Sequence, residues 1–202
     1  MSDGHPWLAA TLDVVMRPMY PARRFVVPEA SGEVLEIGAG TGLNFALYDP
    51  AHVTRLAAVE PDPHMLRRAR EKAADVGIPI ELHAAGGESL PFADRSFDTA
   101  VITWALCTIP EPDAALAEVR RVLRPGGRLL FIEHTRSRQP MLARVQTTLT
   151  PLWRRLAGGC HLDRPAVDLV RASGLEVAEV VAVGRDRWTL LPIYRGTAVR
   201  AA

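Results

Sequence analysis

The sequence feature that most constrains the fold is a glycine-rich loop at the end of an apolar run. Val34–Ile37 is short, apolar and partly β-branched, which is typical of a buried strand. Three glycines follow at alternating positions, Gly38, Gly40 and Gly42, and a helix is expected after them. Because glycine tolerates positive φ and leaves the backbone bare, such a loop lets a ligand approach the main chain. The pattern predicts a ligand-binding strand–loop–helix unit; the alternative is a plain glycine-rich turn.

The spacing of the glycines separates two kinds of cofactor. Dinucleotide-binding loops need Gly-x-Gly-x-x-Gly, and the last position of that pattern is Leu43 here. An alternating loop preceded by an acid, Glu36, suits a cofactor without phosphates whose amino-acid part carries an ammonium group. Glu60, at the end of the next predicted strand, is placed to accept hydrogen bonds from both ribose hydroxyls, unless it is merely an exposed strand end. The loop therefore favours S-adenosylmethionine over NAD.

Strand-like and helix-like segments alternate along the chain. One helix is predicted from His64 to Asp75, with Asp62 as its N-cap, and another from Pro112 to the turn at 125–127. Strands separated by helices pair in parallel through right-handed crossovers. We therefore expect an α/β fold, a Rossmann-like doubly wound sheet of about seven strands with helices on both faces. The predicted strands are Val34–Ile37, Leu56–Val59, Ile80–His83, Thr99–Thr103, Arg128–Ile132, Leu175–Val183 and Leu191–Arg200, the last an edge or antiparallel strand.

Two segments fall outside this alternation, and each either packs on the sheet or covers a site. Residues 6–20 form a predicted helix with an apolar face, and residues 140–157 form two short helices separated at Pro151. We expect one domain, residues 1–202, consisting of an N-terminal helical lid (1–30), a cofactor-binding core (31–134), a helical acceptor cap (135–174) and closing strands (175–202). The expected apolar faces are Trp7, Leu8, Thr11, Leu12, Val15 and Met19 in the first segment, and Met141, Leu142, Val145, Leu149, Leu152, Trp153 and Leu156 in the second.

Charge is distributed unevenly along a chain whose net charge is only +1. Residues 1–127 carry 12 basic and 17 acidic side chains, whereas residues 128–202 carry 12 and 6. The near-neutral total argues against nucleic acid as a partner. The Arg-rich segment 135–156 contains no acidic residue, which leaves peripheral membrane contact open.

Targeting and cysteine patterns place the protein in the cytoplasm, or peripherally at the inner membrane face. The sequence has no apolar run of the roughly 18 residues that a spanning helix needs, and no basic signal-peptide start. Its two cysteines show neither CxxC spacing nor a disulfide framework. The six histidines lack metal-ligand spacing, so the sequence predicts no metal site. The sequence does not indicate an oligomeric state.

Two further runs give the chain a family resemblance. Gly87–Asp98 (GESLPFADRSFD) and Glu118–Arg128 (EVRRVLRPGGR), together with the glycine loop, resemble the class I S-adenosylmethionine-dependent methyltransferases over nearly the full length. One departure is Gly86, which stands where many relatives have an adenine-binding Asp, so that Gly87 and Glu88 must serve. The residues expected to bind S-adenosylmethionine are Glu36, Gly38, Ala39, Gly40, Gly42, Asn44, Glu60, Pro61, Met65, Gly87, Glu88 and Thr103.

In such a fold the acceptor lies beyond the carboxyl ends of the fourth and fifth strands. His134 lies at one of these ends and is the candidate general base; the alternative is a hydrogen-bonded strand-end histidine. Trp104 is either a pocket wall or a core residue, and Cys107 either a small buried residue or a reactive thiol. The expected substrate pocket is Tyr20, Trp104, Cys107, His134, Trp153, Cys160 and His161.

The C-terminal third narrows the resemblance to a subgroup. The strings ALCTIP (105–110), FIEH (131–134), PLWRR (151–155) and GGCHLDR (158–164) resemble alkyl thiol methyltransferases and the ubiquinone-biosynthesis-like and phosphatidylethanolamine methyltransferases. The resemblance implies methyl transfer to S, O or N of a small, largely apolar molecule, with thiols favoured. The alternatives are N-methylation of a phospholipid headgroup and S-adenosylmethionine binding without catalysis. No Asn/Asp-Pro-Pro-aromatic motif follows the fourth strand, which argues against nucleic-acid methylation.

Overall fold

The computed structural model describes residues 4–184 and 189–202, whose centre is one mixed sheet of seven strands. The strands are β1 (Gly32–Ile37), β2 (Val53–Val59), β3 (Ile80–His83), β4 (Phe97–Thr103), β5 (Leu123–His134), β6 (Glu176–Ala182) and β7 (Ile193–Val199). The helices are α1 (Pro6–Val15), α2 (Tyr20–Arg23), α3 (Pro63–Ala73), α4 (Pro112–Val122), α5 (Pro140–Leu156) and α6 (Ala166–Ala172). Short 3-10 turns cover Arg17–Met19, Val27–Glu29 and Phe45–Leu47.

The sheet has the order β3-β2-β1-β4-β5-β7-β6, which confirms the doubly wound, Rossmann-like prediction. The first five strands pair in parallel, whereas β7 runs antiparallel to both β5 and β6. The last strand, β7, is therefore antiparallel, which is one of the two predicted alternatives. The other alternative, an edge strand, is wrong, because β7 lies between β5 and β6. All the parallel strands end at the same side of the sheet, which is where a ligand site forms in this topology.

Both faces of the sheet are buried, as expected for parallel strands covered by helices on each side. Leu35 and Ile37 of β1 pack in one hydrophobic cluster with residues of α4 and α6. Val34, whose side chain points to the opposite face of the strand, packs in the other cluster with residues of α3 and of the N-terminal segment. Side chains that alternate along β1 thus contribute to two hydrophobic cores, one on each face of the sheet. Packing on both faces fixes the position of the strand ends.

The glycine loop is not followed by the predicted α-helix. Residues 40–44 form turns, and Phe45–Leu47 is a single 3-10 turn before the chain reaches Asp49 and Pro50. Gly42 has φ +79°, and the Phe45 ring lies over it, so that a Cβ at Gly42 would be 2.6 Å from a ring carbon. A left-handed residue and a nearby proline leave too little chain for an α-helix. The helix α3, in contrast, begins as predicted, with Asp62 accepting from the backbone N–H groups of His64 and Met65.

Helix α5 corrects the prediction of two helices separated at Pro151. It is continuous over Pro140–Leu156. Pro151 is exposed, so the helix tolerates it at the surface at the loss of one backbone hydrogen bond, because proline has no N–H to donate to the carbonyl four residues earlier. The inward face is polar. Gln146 is fully buried, accepts from Ser137 N at 2.7 Å, and donates to three carbonyl oxygens, those of Thr135, Leu162 and Leu190.

Because Gln146 occupies the inward face, the predicted apolar face of α5 is turned to the surface instead of the sheet. Its large side chains are between 40% and 71% exposed, except for Leu142, which is half-buried. The apolar stripe predicted helical structure correctly. The alternative that this stripe packs on the sheet is wrong, because its side chains are exposed. We call the exposed side chains Met141, Val145, Leu149, Leu152, Trp153 and Leu156 the α5 apolar face.

The N-terminal helix α1 lies across the carboxyl ends of the strands. Leu12 of α1 approaches the glycine loop, since a Cβ at Gly40 would be 3.4 Å from Leu12 Cδ2. Asp13 holds the helix in place, accepting a 2.8 Å bond from Lys72 Nζ and a short bond from Thr41 Oγ1. The predicted apolar face of α1 is only partly covered, because Trp7 and Val15 are more than half exposed.

Gly196 of β7 tests the packing of the interior antiparallel strand. A Cβ at this position would contact the backbone oxygen of Glu179 and come within 2.6 Å of the buried Phe131 ring. Overpacking of this kind typically costs about 1–3 kcal/mol. We therefore expect Gly196→Ala to lower the free energy of unfolding by about that amount in urea denaturation. Gly77→Ala is the matched control, because its nearest neighbour, Pro50 Cγ, is 3.8 Å away. Equal midpoints for the two variants would contradict this packing.

Candidate functional site

The glycine loop forms one wall of the site at the end of β1. Gly38, Gly40 and Gly42 have φ values of +69°, +57° and +79°, in the left-handed region that favours glycine. The backbone N–H groups of Gly38 and Ala39 both donate to Val59 O at the end of β2, at 3.0 and 3.1 Å. The loop is thus fixed to the neighbouring strand, and its bare backbone is available to a ligand.

Glu60 follows β2 and lies beside this loop, as predicted. Its carboxylate accepts from Gly40 N at 2.8 Å and from Asp62 N at 2.9 Å, one bond to each oxygen. Burial raises the pKa of Glu60 above its ordinary value, and the two backbone bonds oppose that rise. A carboxylate has about four acceptor positions. Two therefore remain for hydroxyl donors such as those of a ribose.

A buried arginine, which the sequence patterns did not indicate, lies between the ends of β1 and β4. Arg23 of α2 is only 6% exposed, and its Nη1 donates to Asn44 Oδ1 at 2.8 Å and to Thr103 Oγ1 at 2.6 Å. Its Nε is buried and has no hydrogen-bond partner within residues 4–184 and 189–202. Burial lowers the pKa of Arg23, although the nearby carboxyl groups of Glu36 and Glu133 oppose this. Such a buried cation favours an anionic ligand.

Glu36 is the predicted ammonium ligand, but the structure gives its oxygens other partners. Asn44 Nδ2 donates to Oε1 at 2.9 Å and Tyr48 OH donates to Oε2 at 2.8 Å, and the side chain is 1% exposed. Burial raises the pKa of Glu36 to about 7, although both hydrogen bonds and Arg23 oppose this. The carboxyl group therefore positions Asn44, and through it Arg23, instead of facing the cleft directly.

The Glu88 carboxylate lies beside the glycine at position 86. A Cβ at Gly86 would lie 2.5 Å from Glu88 Oε2. The binding of adenine by Glu88 stays a prediction. Gly87 lies against the end of β1, with Ile37 Cγ2 3.0 Å from a Cβ placed there. Met65, in the first turn of α3, is half-buried, whereas Pro61 is exposed.

The opposite wall is the turn that follows β4. Trp104 has φ +58°, unusual for a bulky residue, and its indole Nε1 is buried without a partner. Glu133 of β5 holds the turn, accepting from Ala105 N at 2.7 Å and from Leu106 N at 3.0 Å. Ala105 in turn lies against the glycine loop, since its Cβ would be 2.6 Å from a Cβ on Gly38. Trp104 packs against the core cluster that contains Tyr48.

The fold brings together two cysteines and a histidine that are far apart in the sequence. His134 Nε2 is 3.2 Å from Cys160 Sγ, and the ligand atoms of Cys107, His134 and Cys160 all lie within 4.8 Å of one another. We call these three side chains the Cys–His cluster. The hydrogen bond from Cys107, ahead of that from His134, lowers the pKa of Cys160 to about 4. Burial opposes protonation of His134, but the hydrogen bond and charge of Cys160 together with the Glu133 carboxyl group outweigh burial and raise the imidazole pKa.

The other predicted pocket residues lie around this cluster at different depths. Trp153 is 41% exposed at the end of α5 and contributes to the lowered pKa of Cys160. His161 donates its backbone N–H to Cys107 O at 2.9 Å, which ties the loop after α5 to the turn after β4. Tyr20 is half-buried, with the Arg24 guanidinium 5.9 Å from its ring centroid. No described contact joins Tyr20 to the cluster, so its place in the pocket stays a prediction.

These features fit a cofactor with a ribose, an adenine and a zwitterionic amino-acid end. Side chains in place of the loop glycines would fill the space beside the backbone. Glu60 keeps free acceptor positions. Arg23 is a buried cation whose Nε has no hydrogen-bond partner among the described residues. Residues 35–131 match the family described as "Methyltransferase domain". The chain is 34% identical over 163 residues to a phosphatidylethanolamine N-methyltransferase from Cereibacter sphaeroides, covering 79% of this chain and 78% of that one. The chain belongs to the S-adenosylmethionine-dependent methyltransferases.

Two further similarities characterise this methyltransferase. It is 36% identical over 149 residues to a thiol S-methyltransferase from Rattus norvegicus, covering 71% of this chain. The chain spans about 60% of the length of that relative. The crystal structure of geranyl diphosphate methyltransferase in complex with S-adenosylmethionine superposes with a TM-score of 0.73 at 14% identity, covering 96% of this chain and 89% of that one. Members of this methyltransferase family use S-adenosylmethionine, so S-adenosylmethionine is the cofactor.

The raised pKa of Glu36 predicts a pH effect on stability. A carboxyl with a native pKa of about 7, against an ordinary value of 4.5, favours folding below pH 4.5. That contribution, at most about 3 kcal/mol, is lost as the pH rises to about 7. We expect Glu36→Gln to make the fall in unfolding free energy between pH 4.5 and 7 shallower, measured by urea denaturation at several pH values. Glu81→Gln, an exposed carboxyl on β3, is the control; parallel pH profiles for Glu36→Gln and the wild type would contradict the assignment.

Proposed function

We propose that this methyltransferase moves a methyl group from S-adenosylmethionine to the sulfur of a small, largely apolar thiol. The observation that carries the proposal is the acceptor side of the site. A buried apolar turn, Ala105–Cys107, lies between the glycine loop and the Cys–His cluster. The similarity to thiol S-methyltransferases supports the same acceptor class.

The cofactor end of the proposal rests on the buried Arg23. Its guanidinium, held by Asn44 and Thr103, would bind the α-carboxylate of S-adenosylmethionine, and Nε would gain the partner it lacks. Glu60 would accept from the ribose hydroxyls, and Gly87 and Glu88 would contact the adenine. When bound, the cofactor supplies an electrophilic methyl carbon on a sulfonium. The residues around it orient donor and acceptor in line, and such orientation can contribute on the order of 7–11 kcal/mol.

A thiol acceptor suits a site that does not present a free base. Nε2 of His134 faces Cys160, and its Nδ1 is buried without a partner, so neither nitrogen faces open space as the predicted general base would. A thiol with a pKa near 8.5 is already a few per cent thiolate at pH 7, whereas a phenol is ionised about thirtyfold less. The acceptor thiol releases its proton to solvent, the resulting thiolate sulfur forms a bond to the methyl carbon, and the bond from that carbon to the donor sulfur breaks, its electron pair staying on that sulfur. The products are a methyl thioether and S-adenosylhomocysteine.

Arg23→Gln tests the cofactor arrangement. Loss of a charge-assisted bond to a carboxylate costs about 1.5–3 kcal/mol, so S-adenosylhomocysteine should bind about 10- to 100-fold more weakly in isothermal titration. Binding of 5′-methylthioadenosine, which lacks the amino-acid end, should not change, and this also shows that the pocket remains folded. Arg24→Gln, at the exposed neighbouring arginine, is the matched control. An equal loss of affinity for S-adenosylhomocysteine and 5′-methylthioadenosine would show that Arg23 supports the fold and does not bind the carboxylate.

A labelled-donor assay tests the acceptor. We expect methyl-labelled S-adenosylmethionine to label an apolar thiol, and a phenol or amine of matched size at least about tenfold more slowly at pH 7, detected by mass spectrometry. Faster labelling of the phenol or amine would overturn the sulfur assignment. Tight S-adenosylhomocysteine binding with no labelled acceptor would instead favour a binding protein without catalysis.

A phospholipid headgroup is the second candidate acceptor, favoured by the α5 apolar face. Six large apolar side chains of this face are exposed, and segment 135–156 carries five arginines and no acid. An amphipathic helix with a basic polar side is the type that lies in a membrane interface and meets anionic lipid. No helix in residues 4–184 or 189–202 is long and apolar enough to span a bilayer. The phosphatidylethanolamine N-methyltransferase similarity is in keeping with a lipid acceptor.

The same labelled-donor assay separates the two acceptors when phosphatidylethanolamine vesicles are added. Labelled headgroups, formed faster with anionic lipid and more slowly with salt, would replace the thiol by the phospholipid as the substrate. Membrane contact without headgroup labelling would leave the thiol as substrate and the α5 apolar face as an attachment surface.

A further inference from the structure

The Cys–His cluster has a donor set that the methyl-transfer reaction itself does not require. Two thiols and one imidazole are borne by three separate elements, namely the turn after β4, the end of β5 and the loop after α5. Cys107 is 3% and His134 6% exposed, so the cluster lies within the protein and not on its surface. The only two cysteines of the chain are both in it.

The spacing of the three ligand atoms is close to that of a tetrahedral zinc site. Zinc–sulfur and zinc–nitrogen bonds of about 2.3 and 2.0 Å put neighbouring ligand atoms about 3.5–3.8 Å apart. The atoms of the cluster lie 3.2 Å apart for His134 and Cys160 and within 4.8 Å throughout. Shifts of about 1 Å or less would therefore bring all three onto one ion.

The surrounding backbone holds the ligands in this arrangement. His161 N bonds to Cys107 O at 2.9 Å, so the loop with Cys160 is joined to the residue that bears the other thiol. Arg164 donates to the carbonyl oxygens of Leu106 and Ile109, and these hydrogen bonds stabilise the turn around Cys107. Gly158 has φ +57°, and a Cβ there would be 2.5 Å from Leu8 Cδ2 of α1. The loop is thus closed over by the N-terminal helix.

We propose that Cys107, His134 and Cys160 bind a thiophilic divalent metal ion, with zinc as the matching ion, and leave its fourth position open to the acceptor. Zinc accepts thiolate and imidazole ligands, and a site with three protein ligands keeps one position for a substrate. Soft sulfur ligands favour this class of ion over magnesium or calcium. The site departs from the sequence-based prediction of no metal and makes His134 a ligand instead of a base.

Charge and position support an acceptor thiolate at the open position, a step that rests on the proposed function. Two cysteine thiolates neutralise the ion, and a third thiolate would leave one negative charge, which the nearby Arg164 guanidinium complements. Ala105, two residues before Cys107, lies against the glycine loop, which puts the cluster next to the cofactor wall.

Metal binding is tested on the full chain without any activity measurement. Chelator-treated, reduced protein is titrated with Co²⁺ and then with Zn²⁺. We expect one ion per chain, a thiolate-to-cobalt charge-transfer band, and displacement of cobalt by zinc. Both thiols should react with a disulfide reagent in the apo protein and be protected once zinc is bound. No stoichiometric metal, or two thiols that stay reactive in the presence of zinc, would overturn the proposal. Rapid Cys107–Cys160 disulfide formation unaffected by zinc would also overturn it.

Variants assign the metal to these ligands. Cys160→Ser and His134→Asn should weaken zinc binding by more than about 100-fold, while His161→Asn, at the adjacent histidine outside the cluster, should retain it. Thermal melting of each apo variant separates ligand loss from misfolding. Wild-type affinity in Cys160→Ser would place the metal elsewhere and contradict the assignment.

The role of the metal ion in binding the acceptor is tested by measuring the methylation rate as a function of pH. Failure of the metal site and failure of the proposed function give different results in this experiment. Zinc-loaded protein should methylate a thiol at a rate that levels off well below pH 8.5, whereas apo protein should follow the free thiol titration near 8.5. Stoichiometric zinc with no thiol methylation would overturn the proposed function and leave the metal site. Thiol methylation with identical profiles in both forms would leave the function and overturn the fourth-position role.

Discussion

Arg23 is a buried cation, and the cofactor side of the structure is arranged around it. Its guanidinium bonds to the side chains of Asn44 and Thr103 and so joins the N-terminal segment to the ends of β1 and β4. Asn44 is in turn oriented by Glu36, which Tyr48 also binds. A buried guanidinium whose direct hydrogen-bond partners are neutral side chains is costly unless an anion binds to it. The packing of α2 against the ends of β1 and β4 therefore depends on one buried charge, which is also the group that we propose to bind the carboxylate of the cofactor.

The acceptor side depends on a second buried acid, Glu133. One oxygen holds the turn after β4 through two backbone N–H groups, and the other has no described partner. Burial raises the pKa of Glu133 to about 7, while the same backbone bonds and His134 oppose the rise. The turn it holds carries Trp104 in a left-handed conformation and delivers Cys107 to the cluster. A single carboxyl thus holds the turn that links the glycine loop to the Cys–His cluster.

Local patterns in the sequence predicted the cofactor half well. The strand before the glycine loop, the Asp62 cap of α3 and the position of Glu60 each depend on residues within a few positions of one another. The helix after the loop was predicted wrongly, because a left-handed Gly42 and the nearby Pro50 override the preference of the segment between them. The apolar stripe of α5 identified a helix correctly, yet the buried hydrogen bonds of Gln146 turned that stripe to the surface.

The sequence by itself determined the order of strands and helices, the cofactor loop and the family, because periodicity, capping and glycine spacing act over short distances along the chain. Only the tertiary structure decided that Arg23 meets Thr103, 80 residues away, and that His134 meets Cys160, 26 residues away. These contacts exist because parallel strands end at one edge of the sheet, where loops from distant parts of the chain converge. No spacing in the sequence encodes that convergence, since it is set by crossover lengths and by packing on both faces.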